Sequence, residues 1–264
     1  MTAAVSRLFL YPVKSLGGFE VQEYEVDELG PRLDRRWMVL DGDGAFQTQR
    51  WRRRMALVSA RLTPDGGVRL TAAGMPDITV PQGGGTSREV LVWNDRCIAE
   101  ACGADADQWI STFLGAPCRI VFFPGTSLRS IRRRRDEALG RVAFADAYPF
   151  LLLSEGSLED LNGRLETPLP VNRFRPNIVV RGVAPYAEDG WDSLTIGGIR
   201  LVVAKRCVRC VLTTIDQETA QLGREPLSTL ATYRRTADGV VFGVNLAHAS
   251  PGRLAVGDPV VPAA

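Results

Sequence analysis

The chain has 264 residues, 45% of them hydrophobic, which is enough for one large domain or two smaller domains with proper cores. Its 32 basic and 30 acidic side chains leave a formal net charge of +2, so no broad electrostatic field attracts nucleic acid or a membrane surface. There is no apolar run of about 18 residues, and the N-terminal segment does not have the form of a signal peptide. We therefore expect a cytoplasmic protein that binds neither nucleic acid nor membrane, with reduced cysteines.

The first part of the chain is dominated by short predicted strands separated by turn signals such as Asp41-Gly42-Asp43-Gly44. This spacing favours a small antiparallel sandwich or barrel over βαβ units. An amphipathic helix is predicted over residues 99–114, with a domain boundary near Leu114. The alternation of apolar and polar residues predicts strands over residues 5–13, 19–29, 33–40, 54–62, 67–72, 77–80 and 90–93.

The second part is again rich in strands, with helices at the connections. A helix is predicted to begin at Ser154 or Ser157 as its N-cap, and a shorter one over residues 226–234. Gly197-Gly198 is predicted to turn a hairpin whose second strand leads to two cysteines, and residues 211–215 are prone to form a further strand. Strands are predicted over residues 118–123, 150–154, 178–181, 194–196, 199–204, 240–246 and 253–261.

Cys207 and Cys210 lie among the cations of Lys205, Arg206 and Arg209. A thiol beside fixed positive charge loses its proton more easily, and the thiolate is the form that attacks electrophiles or binds soft metals. Our interpretation is that one of these cysteines is a metal ligand or a nucleophile.

Several kinds of cysteine site compete for this stretch. A structural zinc site needs four Cys or His ligands, whereas the chain has one CxxC and one histidine, His248. A thioredoxin-like site needs a helix after its CxxC, and residues 211–215 are too β-branched for one. A cysteine protease needs a histidine base, and we interpret His248 as structural. An inert buried pair stays open, but a soft-metal site with one thiolate fits best, provided that a cofactor brings the other ligands.

Other polar clusters could bind anions. Lys14 and Ser15 precede Gly17-Gly18, a loop in which backbone could approach an anion. Arg173 and Arg175 crowd the entrance of a predicted strand, where they either pair with carboxylates or form a fork for phosphate or a pterin-like ring edge. Two runs of arginines stand out, Arg52 to Arg54 and Arg132 to Arg135. Each run is solvated surface, a docking patch for an acidic partner, or a cationic rim around the entrance to a substrate site.

Motifs in order along nearly the whole chain resemble those of the MOSC-domain family. The resemblance is to members with a MOSC N-terminal β-barrel domain, of the bacterial YcbX type and the mitochondrial amidoxime-reducing component type. It implies a mixed, β-rich α+β fold, with an N-terminal β-barrel or sandwich domain (residues 1–114) packed on a MOSC β-barrel domain (residues 115–264) and short peripheral helices. The matching segments are residues 11–15, 34–35, 154–162, 172–177, 187–191, 209–216, 224–234 and 256–259.

The resemblance implies a molybdenum cofactor, in which a pyranopterin dithiolene gives the metal two sulfurs and a protein cysteine gives a third. By position that metal ligand is Cys210, and Cys207 is its nonligating neighbour. Asp146 lies where relatives have an acidic residue near the metal, and we expect it to relay protons. The positions that match those holding the pterin and its phosphate are Lys14, Ser15, Arg35, Arg175, Asn177 and Arg209, with Val208 as a backbone contact.

The activity implied by the resemblance is two-electron reduction of small N-hydroxylated or N-oxide compounds. Some YcbX-type relatives carry a C-terminal iron–sulfur domain, whereas this sequence ends at Ala264. We therefore expect electrons from a separate protein, such as a ferredoxin, flavodoxin or flavin reductase. Two other functions share the same residues, namely a non-catalytic molybdenum-cofactor carrier and a sulfur carrier that uses a Cys210 persulfide.

Overall fold

A computed structural model of the protein describes residues 2–132 and 138–263. The fold is mixed and rich in strands, as predicted. The strands are β1 (Ala4–Leu10), β2 (Phe19–Val21), β3 (Glu23–Asp27), β4 (Gly30–Pro31), β5 (Trp37–Asp41), β6 (Ser59–Leu62), β7 (Val68–Thr71), β8 (Ile78–Val80), β9 (Ser87–Val92), β10 (Asp95–Ala101), β11 (Cys118–Phe122), β12 (Ser130–Arg132), β13 (Ala138–Arg141), β14 (Phe150–Ser154), β15 (Ile178–Arg181), β16 (Ser193–Ile196), β17 (Ile199–Val208), β18 (Arg235–Thr236), β19 (Gly239–His248), β20 (Gly252–Ala255) and β21 (Val260–Ala263).

The helices are short and lie at connections between strands. Within the described ranges, none combines the length and the apolar character that a membrane crossing requires. The α-helices are α1 (Ala104–Leu114), α2 (Glu155–Asn162) and α3 (Leu227–Tyr233), and 3₁₀ helices cover Arg53–Leu57, Val171–Arg173, Ala187–Gly190 and Val211–Thr214.

The largest sheet runs through both halves of the chain in the order β2-β1-β15-β14-β19-β17-β16-β21, with β18 paired to β19. Its neighbours are antiparallel except β14 and β15, which run parallel. A four-stranded sheet, β5-β11-β10-β9, covers the region before and after α1. Strand β1, which precedes Leu114, pairs with β15, which follows it. Strand β11, which follows Leu114, pairs with β5 and β10, which precede it. The division at residue 114 stays a prediction.

Among the described residues, two buried apolar clusters are larger than the others. One gathers Trp37, Met55 and Ile110 around the sheets of the N-terminal half. Another gathers Leu8, Ile178 and other residues of the largest sheet. Burial of such clusters stabilises the fold by roughly 25 cal/mol for each Å² of apolar surface. The sheets whose strand ends carry the candidate site residues are therefore held by packed cores.

Several predicted element boundaries were wrong. Residues 99–101 belong to β10, where pairing with β9 outweighs the helical tendency of Ala99 and Ala101, and α1 begins only at Ala104. The strand predicted over residues 54–62 is a 3₁₀ helix followed by β6, because Met55 and Ala56 are buried in a tight turn. The strand predicted over residues 19–29 is divided into β2 and β3, and residues 33–36 form a turn before β5.

Other predictions hold. The Ser154 side chain accepts a hydrogen bond from Ser157 N and so caps α2, and α3 occupies most of residues 226–234. Gly197 and Gly198 have φ values of 55° and 80° and make the predicted turn between β16 and β17. Arg133 to Arg135, which make up most of the densest arginine run, lie outside the described residues.

Candidate cofactor pocket

All of the predicted site residues line one pocket, with a volume of about 280 Å³. From residues 2–132 and 138–263, its walls carry six basic side chains and a single carboxylate, Asp146. A concave site with this excess of positive charge attracts anions, and its low-dielectric walls strengthen the attraction. The predicted site residues on its walls are Lys14, Ser15, Arg35, Asp146, Arg175, Asn177, Val208, Arg209 and Cys210.

The two candidate cysteines lie at the end of β17, Cys207 within the strand and Cys210 just after it. This strand pairs with β19 over its length, with an irregularity between Arg206 and Val208. Cys210 follows the strand and precedes the 3₁₀ helix Val211–Thr214, and this tight turn replaces the strand predicted over residues 211–215. Both Cys207 and Cys210 line the pocket and are only partly buried, unlike the other cysteines, so both thiols are accessible to a ligand.

Arg209 lies beside Cys207. Its Nη1 donates to Cys207 Sγ at 2.9 Å and its Nη2 donates to Phe174 O at 2.7 Å. Its Nε is buried without an acceptor. A buried donor left unpaired costs free energy that a bound acceptor would recover, so Arg209 is suited to an anionic ligand.

Lys14 and Asp146 form an ion pair on the pocket wall. Lys14 Nζ contacts Asp146 Oδ1 and donates to Phe144 O at 2.8 Å, and its side chain is almost wholly buried. Asp146 is half-exposed, and it also accepts from Arg50 Nη2 at 3.1 Å. Although burial opposes ionisation, the charges of Lys14 and Arg50 hold the pKa of Asp146 well below its usual range. Burial lowers the pKa of Lys14, although the negative charge of Asp146 acts to raise it.

Asp146 is held in place by Arg129, a buried arginine outside the pocket. Arg129 Nη2 donates to Asp146 O at 2.9 Å and its Nη1 donates to Ala143 O at 2.9 Å. Arg129 Nε donates to Asp95 Oδ2 at 2.9 Å, which ties this loop to strand β10. The pocket carboxylate is thus linked through Arg129 to Asp95 of the N-terminal half.

Arg35 and Arg175 lie over the same aromatic ring. Each guanidinium carbon is 4.3 Å from the ring centroid of Tyr11, which is buried and whose pKa burial raises to about 12. Burial, and then the neighbouring Arg35, lower the pKa of Arg175 to about 10, so it keeps its charge at neutral pH. Arg35 pairs with buried Asp34 and donates to Asn177 Oδ1 at 3.0 Å, and Asn177 also ties the ends of β1 and β14 together.

The pocket backbone is strained at the predicted positions. Ser15, Arg35 and Arg175 have φ values of 64°, 47° and 56°, in the left-handed region that disfavours side chains. Such strain costs about 1–3 kcal/mol for each residue and clusters at functional sites. In contrast, Gly17 and Gly18 are not among the residues that line the pocket, and they pack against the protein's own chain, since a Cβ at these positions would meet Val58 O at 2.8 Å and the Tyr11 ring at 2.2 Å. Our prediction that they approach a ligand was wrong.

Arg50 was not among the predicted site residues, yet it contacts the candidate sulfur. Its Nη2 lies 3.4 Å from Cys210 Sγ and its guanidinium carbon lies 4.9 Å from the ring of Trp93. The Trp93 indole N–H donates to Asp146 Oδ1 at 3.3 Å, and Trp93 itself has a φ of 56° in the turn between β9 and β10. The N-terminal half therefore places a cation and an aromatic ring against the residues of the C-terminal half.

Two comparisons with known proteins bear on this pocket. A family model described as the MOSC N-terminal beta barrel domain matches residues 2–117, and one described as the MOSC domain matches residues 140–261. Mitochondrial amidoxime-reducing component 1 of Mus musculus is 38% identical over an alignment of 280 positions, which covers 97% of this chain and 81% of that protein. The chain belongs to the MOSC-domain family of the amidoxime-reducing components.

Human relatives agree with this assignment. Mitochondrial amidoxime-reducing component 1 of Homo sapiens is 38% identical to this MOSC-domain protein, over 97% of this chain and 82% of that protein. Component 2 of Homo sapiens is 33% identical over the same shares of the two chains. The family resemblance predicted from the motifs is therefore confirmed.

The remaining cysteines and the histidine of this MOSC-domain protein lie away from the pocket. Cys97, Cys102 and Cys118 are buried, and burial raises the pKa of each thiol, to about 11 for Cys97 and about 12 for Cys102. His248 Nε2 bonds Asp27 O at 2.7 Å across two strands, and burial lowers its pKa. These residues have structural contacts and take no part in the pocket.

Proposed function

We propose that this MOSC-domain protein is a molybdenum-dependent oxidoreductase that reduces small N-hydroxylated or N-oxide compounds. The observation that carries the proposal is the pocket itself, where a partly buried thiol and six basic side chains face one cavity. The relatives named amidoxime-reducing components support the substrate class. In the described part of the chain, no cluster of three or more His, Cys, Asp or Glu could hold a metal, so the other ligands would arrive with an organic cofactor.

The residues present fit a pyranopterin cofactor with a phosphate. Buried Arg175 and largely buried Arg35 are two cations beside one Tyr11 ring, and the Nε of Arg209 lacks an acceptor. Arginine binds phosphate through two parallel hydrogen bonds, and an anion there would offset the repulsion between the two guanidinium groups. Lys14, Ser15 and Asn177 complete this side of the pocket, Val208 offers its backbone, and Cys210 would ligate the metal.

The cofactor, when bound, would supply the two-electron chemistry at molybdenum. The protein's own residues would hold the thiolate, orient the substrate and move protons. Because the pKa of Asp146 is held low, its carboxylate stores no proton near neutral pH, and the proton is carried by Lys14 Nζ. Asp146 is half-exposed, and once the Lys14 ammonium group had donated its proton, the Asp146 carboxylate would relay a replacement proton from solvent to the resulting amine, which is the role we propose for it.

The overall reaction consumes two electrons and two protons for each substrate molecule. For an N-hydroxylated compound the N–OH bond breaks, an N–H bond forms, and the oxygen leaves as water. For an N-oxide the N–O bond breaks, and the oxygen leaves as water with both protons. We propose that the electrons come one at a time from a separate protein of the ferredoxin, flavodoxin or flavin-reductase type. A cytoplasmic location remains part of the proposal, although the relatives carry the word mitochondrial in their names.

Reduction of a model amidoxime by cofactor-loaded protein, with a chemical reductant as donor, tests the proposal. We expect turnover in proportion to the molybdenum content. Full molybdenum occupancy without turnover would instead favour the cofactor carrier. A Cys210 persulfide detected by mass spectrometry, together with sulfur release, would favour the sulfur carrier.

A further inference from the structure

A second concavity, which we call the arginine groove, opens between a segment of the N-terminal half and a loop of the C-terminal half. Its volume is about 490 Å³, and none of the acidic side chains in the described part of the chain lines it. One wall is the segment around the 3₁₀ helix Arg53–Leu57, and the other is the loop of residues 219–221. The polar and aromatic side chains that line it include Trp51, Arg52, Arg53, Arg54 and Gln221.

The three arginines of the groove keep their charge unneutralised. Across the described residues, none of them forms an ion pair with an acid. Arg52 Nε donates to the uncharged Gln47 Oε1 at 2.7 Å, the Arg54 guanidinium lies 4.8 Å from the Phe113 ring, and Arg53 is exposed. Three adjacent cations without a counter-charge repel one another, so an acidic surface placed against them gains electrostatic free energy.

An exposed tryptophan lies at the edge of these cations. Trp51 has 55% of its surface exposed, which is unusual for so large an apolar side chain. Trp and Arg are the residue types most enriched among those that dominate the binding free energy of protein interfaces. The groove thus combines an aromatic anchor with unpaired cations, as expected of a protein-docking surface rather than of a solvated charge run.

Both walls of the groove are continuous in the chain with residues at or next to Cys210. Trp51 follows Arg50, whose Nη2 lies 3.4 Å from Cys210 Sγ. The opposite wall belongs to the loop after the 3₁₀ helix that begins behind Cys210. Gln49 and Gln217 join the two walls, because each side-chain amide donates to the other at 3.1 Å. A partner bound in the groove would therefore lie close to the metal site.

We propose that the arginine groove docks an acidic one-electron carrier protein that supplies the reducing electrons. This inference rests on the proposed function and extends it to the identity of the surface and the charge of the partner. The reduced carrier docks twice for each substrate, losing one electron each time. With two protons from solvent, the two electrons convert the N–OH group into N–H and water.

The test follows oxidation of a reduced carrier by molybdenum-loaded protein in a stopped-flow instrument. The probes are two acidic carriers, a [2Fe–2S] ferredoxin and a flavodoxin, compared with reduced methyl viologen. The variants are R53E and W51A, and the control is R69E, since Arg69 is an exposed arginine of β7 outside the groove. A second readout is binding of the oxidised carrier by interferometry, which needs no turnover.

We expect R53E to slow carrier oxidation by about tenfold at low salt and to weaken its dependence on ionic strength. W51A should weaken carrier binding by a similar factor, whereas R69E should stay within about twofold of the parent. All variants should accept electrons from methyl viologen at the parent's rate. The inference is overturned if R53E and R69E behave alike, if added salt accelerates the reaction, or if viologen supports turnover while neither acidic carrier does.

Failure of the proposed function gives a different pattern. In that case viologen supports no amidoxime reduction at full molybdenum occupancy. The binding measurement then tests the docking surface independently of turnover. Salt-sensitive carrier binding that R53E weakens would support docking in the arginine groove, and the absence of such binding would overturn the inference.

Discussion

Arg50 offers the sharpest test of the pocket, because it joins the two halves of the chain at the candidate sulfur. Replacing it with Met removes the hydrogen bonds to Asp146 and Cys210 and the stacking on Trp93 while keeping a side chain of similar length. A hydrogen bond to a charged group contributes about 1.5–3 kcal/mol, and a cation over an exposed ring about 0.5–1 kcal/mol. Asp146 is half-exposed and keeps Lys14, so the lower ends of these ranges apply.

We therefore expect R50M to lower the free energy of unfolding by about 2 kcal/mol at pH 7. Urea denaturation of the cofactor-free protein measures this quantity. A double-mutant cycle with D146N should give a coupling of about 1 kcal/mol between Arg50 and Asp146. The control R69M should change the free energy of unfolding by less than about 0.5 kcal/mol. An R50M effect no larger than that of R69M, with zero coupling to Asp146, would refute the assigned contacts.

Three further predictions concern neighbouring residues. W93G should be more stable than W93A by about 1 kcal/mol in urea denaturation, because glycine tolerates the positive φ of Trp93 and alanine does not; equal stabilities would contradict the strained turn. D146N should destabilise the protein by on the order of 1 kcal/mol at pH 7. Because the folded-state pKa of Asp146 is depressed, this difference should shrink as the pH falls below about 4, and a difference that is constant down to pH 2 would argue against the ion pair. Iodoacetamide should label only Cys207 and Cys210 in the native protein at pH 8, since a thiol with a pKa of about 12, such as that of Cys102, is ionised in roughly one molecule in ten thousand; mass spectrometry that finds Cys102 labelled at the same rate would overturn this.

The residues that the motifs marked were the easiest part of the pocket to predict. Lys14, Arg175 and Cys210 stand in short stretches whose chemistry points to anion or metal binding even when each is taken alone. The pocket brings these distant stretches together, although their individual roles stay predictions. Arg50 was not predicted because it lies two residues before the run Arg52 to Arg54, which resembles solvated surface. Its contact with Cys210 joins residues 160 positions apart in the chain, which no local pattern indicates.

Element boundaries were predicted less well, for reasons of tertiary packing. Ala99 favours a helix locally, but its buried place beside β9 makes it part of a strand. Val211 and Thr213 favour a strand locally, but the chain must turn sharply after Cys210 for the loop of residues 216–221 to lie against Gln49. The strand predicted over residues 90–93 included Trp93, whereas β9 ends at Val92, and no pattern indicated a tryptophan with positive φ.

The central claim is that Cys210 provides the protein's ligand to molybdenum. The most direct test is the molybdenum content of protein purified with its cofactor, compared among the parent, C210S and C207S, where Cys207 is the matched neighbour on the same pocket wall. We predict about one molybdenum per chain in the parent and in C207S, and a large loss in C210S. Equal molybdenum in C210S and the parent, or a loss in C207S alone, would contradict the account.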